Sequence, residues 1–378
     1  MWRQTGAGFG VFGVIAALTF ALIGAGLVVL FVSFIQPSER DGIRILMTLT
    51  LLPAAAAFLL LLFQFGYHLF ALQSVRTERL ERARLDAWVA YVVHEGVCPP
   101  LDLMSASALA RLRETTSGSY SDGLADLYRQ NGFLRRDIEA LASRQYAYRS
   151  SALSRLGQIR EPGAIPALQG LLAAGVKSMA TEVLRTLARS LDAGGMTLET
   201  AIREFKAACD ARNFSSGEIE SALVLTGRHS AGLVRDFLEV GREPIAALTV
   251  LGHNNLLELV PLLARYLRSE DPEIRAAALR TIAKVELAPR DSSALILEAL
   301  EARQSFVRAQ AAKASVTVPM SDAEGPLVRA LGDRDWWVRR NAAASLAAFG
   351  PAGKAVLARV ALSHSDPFAR ESARRAVQ

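Results

Sequence analysis

Two long apolar stretches open the chain, and a periodic pattern of apolar and charged positions closes it. No residue from Gln4 to Ser38 is charged, nor any from Ile45 to Val75, and Glu39, Arg40, Asp41 and Arg44 are confined to the connection. Each stretch exceeds the roughly 20 residues that carry a helix across a bilayer. The pattern predicts a two-helix transmembrane hairpin within residues 1–75, with spans at about 10–35 and 45–72 and a turn at Gln36-Pro37-Ser38. A cleaved signal peptide is the alternative for the first stretch, but such peptides carry an apolar region of only about 7–15 residues. Gly13, Ala17, Ala21 and Ala25 form a small-residue stripe on the first span, suited to packing on the second span or on another membrane protein. His68 is the one ionisable side chain inside the stretches, which suits an anchor rather than an ion or substrate path. Arg76, Arg79, Arg82 and Arg84 follow the second stretch at once, whereas the arginines of the turn are balanced by acids. The bias of basic residues then predicts a two-pass protein of the bacterial cytoplasmic membrane, with both termini and all that follows in the cytoplasm.

Beyond the hairpin, residues 76–147 read as an amphipathic stalk and a linker. The stalk runs to about Glu95 and ends before Cys98-Pro99-Pro100, since two prolines cannot continue a helix. Two short helices follow, about Ser105–Glu114 and Leu124–Asn131, separated by the polar break Thr115–Gly123. From 148 to 378 the pattern repeats. Arg275, Arg308, Arg339 and Arg370 are spaced 33, 31 and 31 residues apart. Eight residues before each stands a leucine (Leu267, Leu300, Leu331, Leu362), and three after each an alanine (Ala278, Ala311, Ala342, Ala373). Ile282, Leu346 and Val377 continue the apolar face seven residues after three of the arginines, with Ser315 in the fourth unit. Earlier units align on Arg149 and on Lys177, while 192–241 is helical in pattern but out of period. Self-similarity at this period predicts stacked helix pairs, an α-solenoid in an all-α chain.

The segments Ser269-Glu270-Asp271-Pro272-Glu273-Ile274-Arg275-Ala276-Ala277-Ala278-Leu279 and Asp333-Arg334-Asp335-Trp336-Trp337-Val338-Arg339-Arg340-Asn341-Ala342-Ala343 resemble bacterial HEAT repeats of the short kind also found in phycobilisome-lyase-like proteins. The resemblance implies a cytoplasmic solenoid of HEAT-like repeats acting as a protein-binding scaffold; a minority of such repeats act on a bilin or on damaged DNA. The layout of two spans followed by repeats is similar to that of bacterial membrane HEAT proteins associated with family 2 glycosyltransferases. That likeness implies an accessory subunit of a glycosyltransferase in a polysaccharide-synthesis or secretion complex. A bilin-lyase-like HEAT enzyme is the alternative.

Within the frame of the repeat, Asp271, Asp335 and Asp366 stand four residues before their arginines, where a side-chain oxygen caps the first free amides of a helix. Gln304 replaces aspartate in one unit. Each arginine, one turn later, can pair with its aspartate or reach an acid of the neighbouring unit, and the structural role of Arg275, Arg308, Arg339 and Arg370 is weighed against ligand contact. Trp337 aligns with Phe306 and Phe368, which predicts a core aromatic; Trp336 aligns with Pro272, Ser305 and Pro367, which predicts a surface residue. Trp336, with Arg340 beside it, is the candidate partner-binding position, and packing of Trp336 on the preceding helix is the competing reading.

Composition adds little beyond this. Apolar residues make up 51% of the chain, and the excess over an ordinary soluble domain is concentrated in the two opening stretches. After Gln73 there are 40 basic and 35 acidic residues, too diffuse an excess for a nucleic-acid footprint. Cys98 and Cys209 stand alone, the five histidines are scattered, and no phosphate-loop, dinucleotide, zinc-protease or nucleophile-elbow motif occurs. The sequence therefore predicts no enzyme, with no catalytic, cofactor-binding or metal-binding residue and no small-molecule substrate, and a membrane-bound protein partner.

Overall fold

A computed structural model describes residues 60–67, 71, 76, 78–92 and 98–377, apart from 117, 176 and 194. The chain divides into two compact units, Met1–Pro100 and Leu101–Gln378, with the boundary at the two prolines. In the first unit residues 60–67 and 78–92 are helical, and buried Trp88 meets Tyr91 edge to face at 5.5 Å.

The first expected span, about 10–35, lies outside the described residues, as does the second up to residue 59. Among the described residues no helix is long and apolar enough to cross a membrane. The described helix at 78–92 carries Glu78, Arg79, Glu81, Arg82, Arg84 and Asp86. This overturns the transmembrane hairpin, and with it the two-pass cytoplasmic-membrane location. The all-helical solenoid stands.

The second unit begins with α1 (Leu103–Thr115), α2 (Ser119–Gln130), α3 (Phe133–Leu141), α4 (Tyr146–Ile159), α5 (Ile165–Ala173) and α6 (Ala180–Leu191). It continues with α7 (Leu198–Asp210), α8 (Ser216–Leu225), α9 (Ser230–Val240), α10 (Pro244–Asn254), α11 (Leu263–Leu267) and α12 (Pro272–Val285). The last third holds α13 (Ser293–Glu298), α14 (Ser305–Ala314), α15 (Met320–Ala330), α16 (Trp336–Ala348), α17 (Pro351–Ser363) and α18 (Pro367–Val377). From α4 onward the even-numbered helices, here called trailing, stack side by side in one row, and α1 packs on α4 at its head. Odd-numbered helices lead each pair and back the row from one side.

Helix starts follow from local chemistry. Asp102, Thr197, Asp271 and Asp335 cap α1, α7, α12 and α16 with a side-chain oxygen on an amide two or three residues on. Asp366 does the same for α18, accepting from the amides of Phe368 and Ala369. Ser215 and Glu218 form a reciprocal capping box on α8. Gln304 makes no such bond at the start of α14.

The repeated arginines do not turn to the aspartates four residues before them. Arg275 donates to the carbonyl of Ser269 at 3.2 Å, Arg308 to those of Ala302 and Arg303 at 2.9 and 3.1 Å, Arg339 to those of Asp333 and Arg334 at 2.7 and 3.1 Å, and Arg370 to those of His364 and Ser365 at 2.6 and 2.9 Å. Each reaches back into the turn between leading and trailing helix and satisfies turn carbonyls that no backbone amide meets. Of the four, Arg308 alone also holds an acid of the next unit, binding the Asp333 carboxylate through two bonds of 2.7 and 2.9 Å.

The alanine position of the repeat is fully buried in all four units, at Ala278, Ala311, Ala342 and Ala373. Side chains this small let trailing helices approach closely, so the row is held by backbone-to-backbone proximity and dispersion. Between adjacent trailing helices run buried hydroxyl bonds, from Thr186 to the carbonyl of Leu153, Thr281 to that of Leu248, and Ser345 to that of Ala312, each crossing 33 residues of sequence. In α12 and α16 the donor lies six residues after the repeat arginine. Thr186 therefore sets Ala180, rather than Lys177, at the arginine's place in α6.

The out-of-period stretch 192–241 contains α7, α8 and α9. α8 takes its place in the trailing row between α6 and α10, but α7 packs on α5, α6 and α9 rather than chiefly on α8. Asp192 fastens this departure: its carboxylate accepts the Arg228 amide at 3.0 Å and faces the Arg160 guanidinium at 3.4 Å. Gly227 lies against that carboxylate with φ 54°, where any Cβ would collide with it.

Two outcomes follow for stability. Gln304→Asp, which supplies the missing cap, is expected to raise the unfolding free energy by about 0.5–1 kcal/mol, read as a higher urea midpoint with unchanged slope. Arg308→Ala is expected to cost about 2–3 kcal/mol at neutral pH, since it strips charged hydrogen bonds from a nearly buried acid. Burial pushes the Asp333 carboxyl up, but the bonds from Arg308 and the Asp335 amide outweigh it and hold the group below its ordinary value. A lowered folded pKa stabilises above the unfolded value and ceases to do so as pH falls through the folded one. The gap between wild type and Arg308→Ala should therefore stay constant down to about pH 4 and narrow below it, measured by denaturant titration across that range.

Candidate functional site

The last two trailing helices, α16 and α18, frame an open groove of about 570 Å³. Its geometry begins at the turns. Asp333 accepts the Asp335 amide at 2.8 Å, Asp335 accepts the Trp337 amide at 2.8 Å, and Arg339 closes the same turn from the carbonyl side. This double clamp fixes the first turn of α16 and sends both tryptophans outward: Trp336 is 46% exposed and Trp337 56%.

Trp337 therefore does not enter the core as its alignment with Phe306 and Phe368 suggests. Those two are themselves exposed, and the buried residue of the first turn is the next one along: Val307, Val338 and Ala369. One step of a helix turns the side chain by about 100°, enough to move the aromatic position from core to surface. The repeat thus builds an exposed aromatic row, Phe306, Trp337 and Phe368, at 31-residue intervals.

Trp336 and Trp337 meet edge to face with ring centres 4.6 Å apart, and the Arg340 guanidinium lies 5.1 Å from one ring centre and 5.5 Å from the other. Arg339 reaches across the groove to sit 5.1 Å from the centre of the Phe368 ring. Such cation–π contacts hold both arginines without neutralising them. Ala343, Ala344 and Ala347 floor one side of the groove and Ser372 and Ala376 the other, while Glu371 ties back Arg375 at 2.7 Å. The candidate pair Trp336 and Arg340 is thus brought together in one groove, and Arg339 joins it. Arg275, Arg308 and Arg370 lie outside its lining, engaged with turn carbonyls.

A second groove, across α4, α6 and α8, mixes Glu182, Glu220, Arg185 and Arg189 without an aromatic side chain. Charges of both signs there are poised to compensate one another. Of the two cysteines, Cys98 is exposed and Cys209 buried. Burial pushes the Cys209 thiol up to about 12, so it holds its proton at neutral pH. Burial and neighbouring Arg228 lower the pKa of His229. Among the described residues no cluster of three or more metal-binding side chains forms.

Two polar devices were not anticipated from sequence. The Tyr128 hydroxyl donates to buried Asp137, which also accepts from Arg155 Nε at 3.1 and 3.2 Å, tying α2, α3 and α4 together. Burial, then the charge of Asp137, raise the phenol far above its ordinary value, which marks this as a fixed structural bond. The other is the row of buried hydroxyls, whose one signal is a Thr or Ser on an otherwise apolar face.

A family model described as HEAT repeats matches residues 241–315 and 292–378, so the helix pairs that frame the groove are HEAT repeats. No curated protein sequence matches the chain. Among solved structures, the chain is similar to an engineered protein at 19% identity and a TM-score of 0.36, covering 72% of this chain and 83% of that one. It is also similar to Kap121p in a crystal structure of Kap121p bound to RanGTP, at 14% identity and a TM-score of 0.38, covering 91% of this chain and 35% of that one.

Gly353 sets the position of α17 behind the groove, since a Cβ there would fall on the Leu346 carbonyl of α16. Gly353→Ala is expected to cost about 1–3 kcal/mol and to loosen the last two units first. Hydrogen exchange should then show faster exchange in α16, α17 and α18 than in α4 and α6.

Proposed function

We propose that the chain is a non-catalytic scaffold that captures a protein partner in the groove between α16 and α18. The observation that carries this reading is the tryptophan pair held half-exposed around Arg340. Leaving an indole at the surface forgoes burial worth about 1.5–3 kcal/mol for a large apolar side chain, and the place of Trp336 is held in α12 and α14 by Pro272 and Ser305. Tryptophan and arginine are the residue types most enriched where binding energy concentrates. The open groove supplies the concave surface such anchors need, and the stacked repeats supply a rigid frame for it.

The narrower role of glycosyltransferase accessory subunit drew on the two-span layout and loses that support. The groove chemistry is indifferent to it.

Trp336→Ala is expected to reduce partner capture at least about tenfold while shifting the melting temperature by no more than about 2 °C. Quantitative mass spectrometry on immobilised wild-type and variant full-length chains measures the first, and thermal unfolding the second. Equal recovery of every protein by both chains, or collapse of the fold in the variant with capture intact in what remains folded, would sink the proposal.

A further inference from the structure

Resting on that reading, we infer that the groove's occupant is an acidic linear segment, about five residues in extended form, whose carboxylates meet Arg340 and whose apolar side chains lie on Trp336 and Phe368. The argument is one of charge left over. From Asp333 to the C-terminal Gln378 there are eight basic and four acidic residues, an excess of four within a whole-chain net charge of +6. Every one of those four acids is engaged within the fold. Asp333 holds Arg308, Asp335 and Asp366 cap their helices, and Glu371 holds Arg374 and Arg375. Among the described residues no carboxylate pairs with Arg340, an exposed residue whose guanidinium lies against the two indole rings. A guanidinium stacked in this way is pre-oriented for a planar carboxylate, and little side-chain entropy remains to be lost on binding.

The lining residues of α16 run from Trp336 to Ala347. At 1.5 Å per residue that is about 16 Å, the length of roughly five residues in extended conformation. Alanines on both walls leave room for a backbone rather than for a bulky helix. A basic or neutral segment would meet the uncompensated arginines, and a purely acidic one would leave the indoles uncovered. Alternating acidic and apolar residues satisfy both.

The test measures fluorescence anisotropy with three labelled decapeptides on the full-length chain: alternating glutamate and phenylalanine, lysine and phenylalanine, and glutamate and serine. The glutamate–phenylalanine peptide is expected to bind at least about tenfold more tightly than either of the others, and more weakly as salt rises. Arg340→Glu should abolish that preference. Ser372→Glu, which adds a carboxylate to the groove and removes no stacked group, should weaken binding as well and stands in if Arg340→Glu fails to fold. Equal binding of the lysine peptide, indifference to both substitutions, or tighter binding of a labelled oligouridylate would overturn the inference. Sedimentation that shows a dimer dispersed by Trp336→Ala would also overturn it, in favour of a second copy as occupant. If a partner is captured through Trp336 but is not displaced by the glutamate–phenylalanine peptide, the acidic segment fails while the groove survives; loss of neither activity in Trp336→Ala fails both.

Discussion

Every turn of the periodic array faces the same difficulty: a leading helix ends within a few residues of the trailing helix, and carbonyls of the turn between them meet no backbone amide. Arg275, Arg308, Arg339 and Arg370 resolve it by folding back over the turn. A part-buried hydrogen bond from a charged group contributes about 1.5–3 kcal/mol, more than an exposed aspartate–arginine pair on a helix returns. That inequality explains why the arginine prefers backbone to its nearby aspartate and leaves the aspartate to its cap. With acid and arginine working from opposite sides, the turn is rigid, and the side chains of the first helical turn point where the clamp directs them.

How far the sequence could be read follows from the range of each interaction. The caps at Asp271, Asp335 and Asp366 act on amides two or three residues on, and the alanine and leucine positions need only a helical period, so both were legible. At Leu362, 85% exposed where Leu267, Leu300 and Leu331 are buried, the period holds but the surroundings do not. The destination of the arginines was not legible, because a carbonyl five or six residues back becomes a neighbour only once the turn has folded. Trp337 was misplaced by one helical step, since alignment shows that siblings share an aromatic without showing which way it faces. Asp137 with Arg155 and Tyr128, or Asp192 with Arg228, join residues from 9 to 36 positions apart that no short motif links. Hydropathy gives the opposite lesson at the N-terminus, where the apolar stretches predict crossings and, among the described residues, no helix is long and apolar enough to make one.

The candidate site was partly legible for a related reason. Subtracting what the repeat explains leaves Trp336, Gln304 and the stretch 192–241, and of these Trp336 lies in the groove against the other candidate, Arg340. Arg339 was hidden from that subtraction because it serves twice. One nitrogen of its guanidinium closes the turn before α16 while the group lies over Phe368 on the next helix. A residue that obeys the repeat can still shape the surface, so regularity of pattern does not by itself remove a position from function.

The buried hydroxyls have a mechanical side. A bond from Ser345 to the carbonyl of Ala312, joined by one from Asn341 to that of Ala309, pins α16 against sliding along α14. The corresponding place in α18, six residues after Arg370, is Ala376, which has no hydroxyl to give. Among the described residues no hydrogen bond joins α16 to α18; apolar packing and the Arg339–Phe368 contact hold that joint. The groove therefore opens at a seam without a hydrogen-bonded pin: one wall is tied to the stack by side-chain bonds, and the other rests on packing against α16 and α17.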